Sequence, residues 1–276
     1  MATFDVDAQI RDTFSQLTIW GEVAKRGFSP AHGTPLSEDD GVFRWLSTSD
    51  VAWQALCAAQ DHLKGFRAWL LANDADDPNA RPGLFPIATF SLLRGALVGG
   101  AIASWVLTSD DVNVRTGRSL TVAADWYQNH LRWGTTMQEH AADPAKHKSQ
   151  LAHVEKRAKE VNALRESRKP KGRLNTTEVI VQANAEIWTG DEVRAVQTKG
   201  LWQVGSGDAH ALGWSILTRD HTMTPLGEGL GRFVGDPSTL DVANAYFCAY
   251  DFVAYGFHRL HELGGAQSGS EQPAGL

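Results

Sequence analysis

A short segment combines three residue types that can move protons or bind phosphates. Ser206, Asp208 and His210 occupy alternate positions in the stretch SGDAH. Serine and aspartate are favoured helix caps, so we expect them to begin a helix whose first turn holds His210. The positive end of the helix dipole favours a neutral ring there, and a neutral histidine beside a carboxylate can act as a general base. The alternative is structural, with the same side chains capping the helix or forming a polar lock inside the fold.

A single arginine interrupts the most apolar stretch of the chain. Arg94 is flanked by leucines within residues 85–108. A buried guanidinium needs a carboxylate or several carbonyl groups around it, and Asp208, Asp125 and Asp251 are candidate partners. We therefore expect Arg94 to meet the SGDAH segment.

A second chemical feature is a basic stretch between Lys146 and Arg173. It holds ten lysines and arginines against three acids, although the whole chain carries a formal charge of −6. Such a stretch can bind phosphate groups, but it can also be a solvated helix face or a dimer seam. The predicted helix, at about 144–168, has no aromatic residue for base stacking, which disfavours sequence-specific recognition. The predicted nucleic-acid contacts are Lys156, Arg157, Lys159, Arg165, Arg168, Lys169, Lys171 and Arg173.

Other combinations point to simpler chemistry. His258 and His261 have a spacing that can ligate a metal, but no third ligand lies at a suitable spacing, so we expect no metal and no cofactor. Three tryptophans, Trp105, Trp202 and Trp214, could line an apolar pocket for a small molecule.

Helical periodicity dominates the elements that must position these residues, and no stretch alternates as a clear strand. The last helix is apolar on two faces, which is typical of the centre of a bundle. We predict an all-α protein, a single bundle of roughly seven to nine helices over residues 1–263, followed by a disordered tail at 264–276. Helices are predicted over residues 3–19, 49–72, 86–108, 109–140, 144–168, 175–188, 189–204, 208–218 and 236–263, and loops over 27–44 and 219–235.

Composition narrows the class of protein. The chain has 276 residues, 42% of them hydrophobic, with ten tryptophans and eleven phenylalanines, which excludes disorder over most of its length. Two cysteines exclude a disulfide scaffold. Residues 85–108 are long enough to span a membrane, but Arg94 and several glycines and serines favour a buried core helix. We predict a cytoplasmic protein without membrane contact, since the N-terminus has no signal-like pattern.

Two motifs carry a family resemblance. FSLLRGALVGGAIASWVL (90–107) and SGDAHALGW (206–214) resemble uncharacterised actinobacterial helical proteins and, more distantly, the HEPN superfamily of helical bundles. In those proteins an arginine on an apolar helix precedes an S-x-x-x-H segment on a later helix, which Arg94 and the SGDAH segment match. The resemblance implies a bundle that is often dimeric and that either cleaves RNA or acts as an inactive binding module.

The resemblance favours the inactive kind. Catalytic HEPN proteins carry Arg and His separated by four to six residues, and here the only match is Arg26 with His32, in a loop rich in proline and glycine. We therefore predict a non-catalytic, HEPN-like, self-associating module that binds a partner protein or nucleic acid through its basic helix, possible roles being defence or a toxin–antitoxin pair. A second hypothesis is a small-molecule sensor. A third is a nuclease or hydrolase centred on Arg94, Ser206, Asp208 and His210.

Overall fold

The computed structural model describes residues 5–76, 79, 85–168, 172–219, 221–228, 230–235 and 238–265 of the chain. Within these ranges the protein is helical apart from one hairpin, which confirms the predicted all-α class. The α-helices are α1 (Val6–Asp12), α2 (Phe14–Arg26), α3 (Pro35–Asp40), α4 (Thr48–Ala72), α5 (Pro86–Leu107), α6 (Val112–Met137), α7 (Pro144–Ser167), α8 (Thr176–Ile187), α9 (Glu192–Ala209) and α10 (Thr239–Gly264).

Three differences separate the nine predicted helices from the ten α-helices of the described residues. The predicted helix 208–218 is wrong, because its first residues end α9 and Gly213–Thr218 forms a 3-10 turn. The first predicted helix is divided at Thr13, and the predicted loop 27–44 contains α3, which Thr34 caps. Helices α4 and α10 each begin with a capping box, formed by Ser47 with Asp50 and by Ser238 with Asp241. Most of the predicted tail, residues 266–276, lies outside the described residues.

The predicted loop 219–235 is wrong over most of its length. Strands β1 (His221–Gly227) and β2 (Leu230–Gly235) form an antiparallel hairpin. Gly227 and Glu228 have φ angles of 93° and 50° at the turn, the left-handed backbone that tight hairpin turns require. A bulge after Pro225 interrupts the regular register of the two strands. The interruption also breaks the alternation of apolar and polar residues by which a strand is predicted from sequence.

Helix α5 is the centre of the bundle, with α4, α8, α9 and α10 packed around it. Two glycines permit this crowding. A Cβ on Gly99 would lie 3.0 Å from the side chain of Ala59 on α4, and a Cβ on Gly100 would lie 3.0 Å from Phe252 on α10. By length and composition α5 could cross a membrane, but 72% of its most apolar window is buried against protein.

The basic helix α7 lies at the edge of the fold and packs mainly on α6. Only part of its surface is covered, and its buried residues are Arg157, Ala158 and Val161. A helix supported along one side leaves the rest of its surface open to solvent or to a binding partner.

Candidate functional site

Arg94 meets the predicted segment through a serine hydroxyl. Arg94 projects from α5 towards α9, where its Nε donates a hydrogen bond of 2.8 Å to Oγ of Ser206. The approach is close because a Cβ on Gly205 would lie 3.0 Å from Cβ of Arg94. The expected meeting is confirmed, but the partner is a hydroxyl and not one of the three candidate carboxylates.

The charge of Arg94 has no carboxylate beside it among the described residues. Asp251 pairs instead with Arg194, and Asp125 accepts a hydrogen bond from Asn129. Arg94 is half-buried, and this burial lowers the pKa of its guanidinium. The group is therefore a desolvated cation that can gain from an anionic ligand.

Asp208 has a structural role. Its position also differs from the prediction, which placed it at the start of a helix. It lies in the last turn of α9, because the glycines at 205 and 207 do not interrupt that helix. The carboxylate forms a buried ion pair with Arg219 and accepts 2.8 Å from Oγ of Ser215. The guanidinium of Arg219 also stacks 4.0 Å from the ring centre of Phe90. This polar lock holds the 3-10 turn Gly213–Thr218 against α9.

His210 was predicted to lie in the first turn of a helix, but it lies at the C-terminal end of α9. It follows the last residue of α9 as its C-cap, and its side chain is exposed. Ser206 and His210 are four residues apart, so they lie on the same side of α9. No side-chain hydrogen bond joins His210 to Arg94, Ser206 or Asp208 in the described ranges. The four predicted catalytic residues thus divide into an Arg94–Ser206 contact, a nearby exposed histidine and a buried carboxylate with other partners.

The basic residues on the body of α7 differ in their exposure to solvent and in whether they form ion pairs. Arg157 is only 8% exposed, stacks 3.3 Å from the ring centre of Trp45 and pairs with Glu160 at 2.6 Å. Lys159 pairs with Glu155 at 2.7 Å. Lys156 is exposed. Of these three predicted contacts, Lys156 and Lys159 are exposed, and only Lys156 is without an ion pair within the described ranges.

Two basic residues beyond the end of α7 line a groove that the sequence did not predict. Arg165 donates to the carbonyl of Gly172 at 3.3 Å, while Arg168 and Arg173 line a cavity of about 380 Å³ between α6, the end of α7 and the start of α8. Lys169 and Lys171 lie outside the described residues. We call this cavity the arginine groove; its lining is Trp105, Asn113, Val114, Gly117, Arg118, Thr121, Arg168, Arg173, Leu174, Asn175, Glu178, Val179 and Gln182.

Arg118 and Trp105 form one wall of the arginine groove. Arg118 stacks 5.1 Å from the ring centre of Trp105, donates to its carbonyl at 2.7 Å and pairs with Glu186. The indole of Trp105 donates to Gln182 at 2.9 Å. Arg118 was absent from the sequence prediction, although the short connection between α5 and α6 signals that these two residues can meet.

The three tryptophans predicted to share a pocket lie in different places. Trp105 lines the arginine groove, and Trp202 lies beside the residues that begin α8. Trp214 is 45% exposed and would contact a Cβ placed on Gly207 at 3.0 Å. The two described cavities that contain Trp105 or Trp202 do not contain Trp214, so the three tryptophans do not share either of them.

No family model, no curated protein and no solved structure matches this chain. The resemblance to HEPN bundles stays a prediction, and the functional argument rests on the geometry described above.

Proposed function

We propose that this chain is a nucleic-acid-binding helical module whose phosphate contacts lie in and beside the arginine groove. The observation that carries the proposal is the meeting of Arg118, Arg168 and Arg173 in one cavity, with Glu178 as the only acid in its described lining. Arg118 is already paired with Glu186, whereas Arg168 and Arg173 form no ion pair within the described ranges. Two guanidinium groups without acidic partners favour a polyanion.

The groove suits phosphate better than bases. Trp105 is only 9% exposed and Arg118 covers its ring, so stacking of a nucleobase on this indole is not expected. The start of α8 borders the same cavity, where Asn175 caps the helix and the dipole favours negative charge. Binding should depend strongly on salt and weakly on sequence, because phosphate contacts position a strand without reading it.

Anisotropy of a fluorescein-labelled RNA, measured over a salt series, tests the proposal. We expect the double variant Arg168→Gln/Arg173→Gln to bind at least about tenfold more weakly, with the slope of log K against log salt smaller by about two phosphate contacts. Gly117→Met should act similarly by filling the groove, because a Cβ there meets no atom of the described residues within 4 Å.

A matched variant, Arg26→Gln/Arg232→Gln, removes the same charge from exposed positions that do not line the groove. It should retain most of the affinity. An equal loss of affinity in the two double variants would mean that only the net charge of the protein matters. If the wild type does not bind RNA, the proposal is wrong.

The Arg94–Ser206 contact supports a second candidate, phosphodiester hydrolysis. An arginine without a carboxylate can bind phosphoryl oxygens, and His210 lies one helical turn from Ser206 with its ring exposed. In this role Arg94 would bind the phosphate and His210 would transfer a proton. Turnover of labelled RNA that His210→Ala abolishes and Asp125→Ala preserves would support it, and RNA left intact by the wild type would exclude it.

The remaining expectations belong to the same proposal. Self-association, binding of a partner protein and a cytoplasmic location without membrane contact all stay predictions. The buried surroundings of α5 are consistent with a core helix.

A further inference from the structure

A second cavity lies on a different part of the bundle, between α9 and α10. Both helices pack on α5 but scarcely contact one another, so they leave a cleft of about 380 Å³. We call it the α9–α10 cleft; its lining is Phe90, Arg194, Gln197, Thr198, Gly200, Leu201, Val204, Thr218, Arg219, Asp241, Asn244, Phe247, Cys248 and Asp251. Its size falls within the usual range for small-molecule sites.

Each charged side chain of the cleft has a partner within the protein, although Nε of Arg194 is buried without a hydrogen-bond partner among the described residues. Arg194 pairs with Asp251 at 2.5 Å and stacks 3.6 Å from the ring centre of Trp188. Arg219 forms the buried pair with Asp208 described above. Asp241 accepts hydrogen bonds from Ser238 in the first turn of α10, where the helix dipole favours its charge. An ionic ligand would therefore lose hydration without finding an opposite charge in need of a partner.

The uncharged part of the lining is of two kinds. Phe90, Leu201, Val204 and Phe247 supply apolar surface from three helices. Near them, the amides of Gln197 and Asn244 are exposed and form no side-chain hydrogen bond with the described residues. These features match a molecule with an apolar body and a hydrogen-bonding end.

Two other polar side chains of the cleft already have partners. Thr198 accepts 3.0 Å from the amide of Asn184 and lies 3.4 Å from the thiol of Cys248. Burial raises the pKa of that thiol to about 11, so Cys248 is a neutral wall of the cleft. The polar contacts left for a ligand among the described residues are the two amides and Nε of Arg194.

From this lining we infer that the α9–α10 cleft is a binding site for an uncharged, amphipathic small molecule. Its apolar body would lie on the phenylalanine and aliphatic side chains, and its polar group would bond to Asn244 or Gln197. The site is separate from the arginine groove and does not depend on nucleic-acid binding.

Three matched probes test the inference by ligand-observed NMR titration of the full chain: benzyl alcohol, benzylamine and benzoate. We expect the alcohol to bind at least about tenfold more tightly than either ion, because only the ions must give up hydration of a charge. No detectable binding of benzyl alcohol, or equal binding of the three, would overturn the inference.

Two variants test whether the probe binds in the α9–α10 cleft. Gly200→Met should abolish it, since a Cβ at Gly200 meets none of the described atoms within 4 Å and the longer side chain fills the space. Methionine also favours the helix over glycine, so the variant should fold. Gly117→Met is the control, because it fills the arginine groove instead and should bind benzyl alcohol as the wild type does.

The second variant, Gln197→Leu/Asn244→Leu, replaces both amides at exposed positions and should not affect folding. It should weaken binding of benzyl alcohol but not of toluene, which has no hydrogen-bonding group. Unchanged affinity of either cleft variant for benzyl alcohol contradicts the inference.

Discussion

Arg94 and Ser206, separated by 112 positions in the chain, are joined by a hydrogen bond of 2.8 Å between Nε and Oγ. A half-buried guanidinium that is held by a hydroxyl keeps its charge available, whereas one paired with a carboxylate is neutralised. Arg115 is the counterexample within this fold, since its Nε lies 2.6 Å from Oδ2 of fully buried Asp39. The two arginines should therefore respond differently to the same substitution.

Replacing each arginine by methionine tests this difference. Arg94→Met should change the free energy of unfolding by less than about 1 kcal/mol, because one hydrogen bond is lost while the cost of burying a charge is removed. Arg115→Met should cost roughly 3–5 kcal/mol, because it leaves Asp39 buried without its partner. Urea denaturation of both variants measures the two values. Equal losses would mean that Arg94 is also a structural residue.

Asp208→Ala should destabilise the protein by roughly 3–5 kcal/mol, because it breaks the buried pair with Arg219. The 3-10 turn Gly213–Thr218 should also become more sensitive to proteolysis, since Ser215 loses its bond to the same carboxylate. Urea denaturation and limited proteolysis measure these effects.

Adding Arg219→Met to Asp208→Ala should cost less than the sum of the single losses, by about 1–3 kcal/mol, because the two residues are coupled. Strict additivity would exclude the proposed lock.

The helices themselves could be predicted because their signals are local. Asp143 with Pro144, and Asn175 with Glu178, mark the starts of α7 and α8 within a few residues of sequence. The glycines at 205 and 207 misled the prediction, because the sequence does not distinguish a glycine that permits close packing from one that ends a helix. Gly205 permits close packing of α9 on α5, because a Cβ there would lie 3.0 Å from Cβ of Arg94.

The partners of the site residues could be predicted only in part. The apolar surroundings of Arg94 signal that it needs a polar contact, but the choice of Ser206 over Asp208 depends on the rotation of α9 against α5. The contact of Arg157 could not be predicted for the same reason, since Arg157 stacks on Trp45, which lies in a loop far away in the chain. Long-range contacts of this kind leave no periodic pattern to read.

Cys248 gives a prediction for the pH dependence of stability. Burial raises its pKa from 9.0 to about 11, so the folded protein keeps the thiol proton over a pH range in which the unfolded chain loses it. This contribution to stability is complete below pH 9 and is lost as the pH rises towards 11, by up to about 3 kcal/mol.

Urea denaturation between pH 8 and 11 should therefore show a steeper loss of stability for the wild type than for Cys248→Ala. The cavity left by the alanine lowers stability by a constant amount and does not affect the slope. Parallel pH profiles for the two proteins would show that the thiol does not ionise differently in the two states.

The neighbours Lys156 and Arg157 provide the last prediction, because the structure gives them opposite roles. Lys156 is exposed, so Lys156→Gln should leave the free energy of unfolding within about 0.5 kcal/mol of the wild type and weaken RNA binding by about one phosphate contact. Arg157→Gln should cost about 1–3 kcal/mol, because it removes the stacking on Trp45 and the contact with Glu160.

RNA binding separates the two roles when it is measured below the unfolding transition of both variants. Arg157→Gln should bind RNA as the wild type does, since its guanidinium is covered by Trp45 and paired with Glu160, while Lys156→Gln should show the smaller salt slope. The reverse outcome, a stable Arg157→Gln that binds weakly, would mean that Arg157 leaves Trp45 to reach the phosphate, and that the surface around Trp45 is part of the binding site.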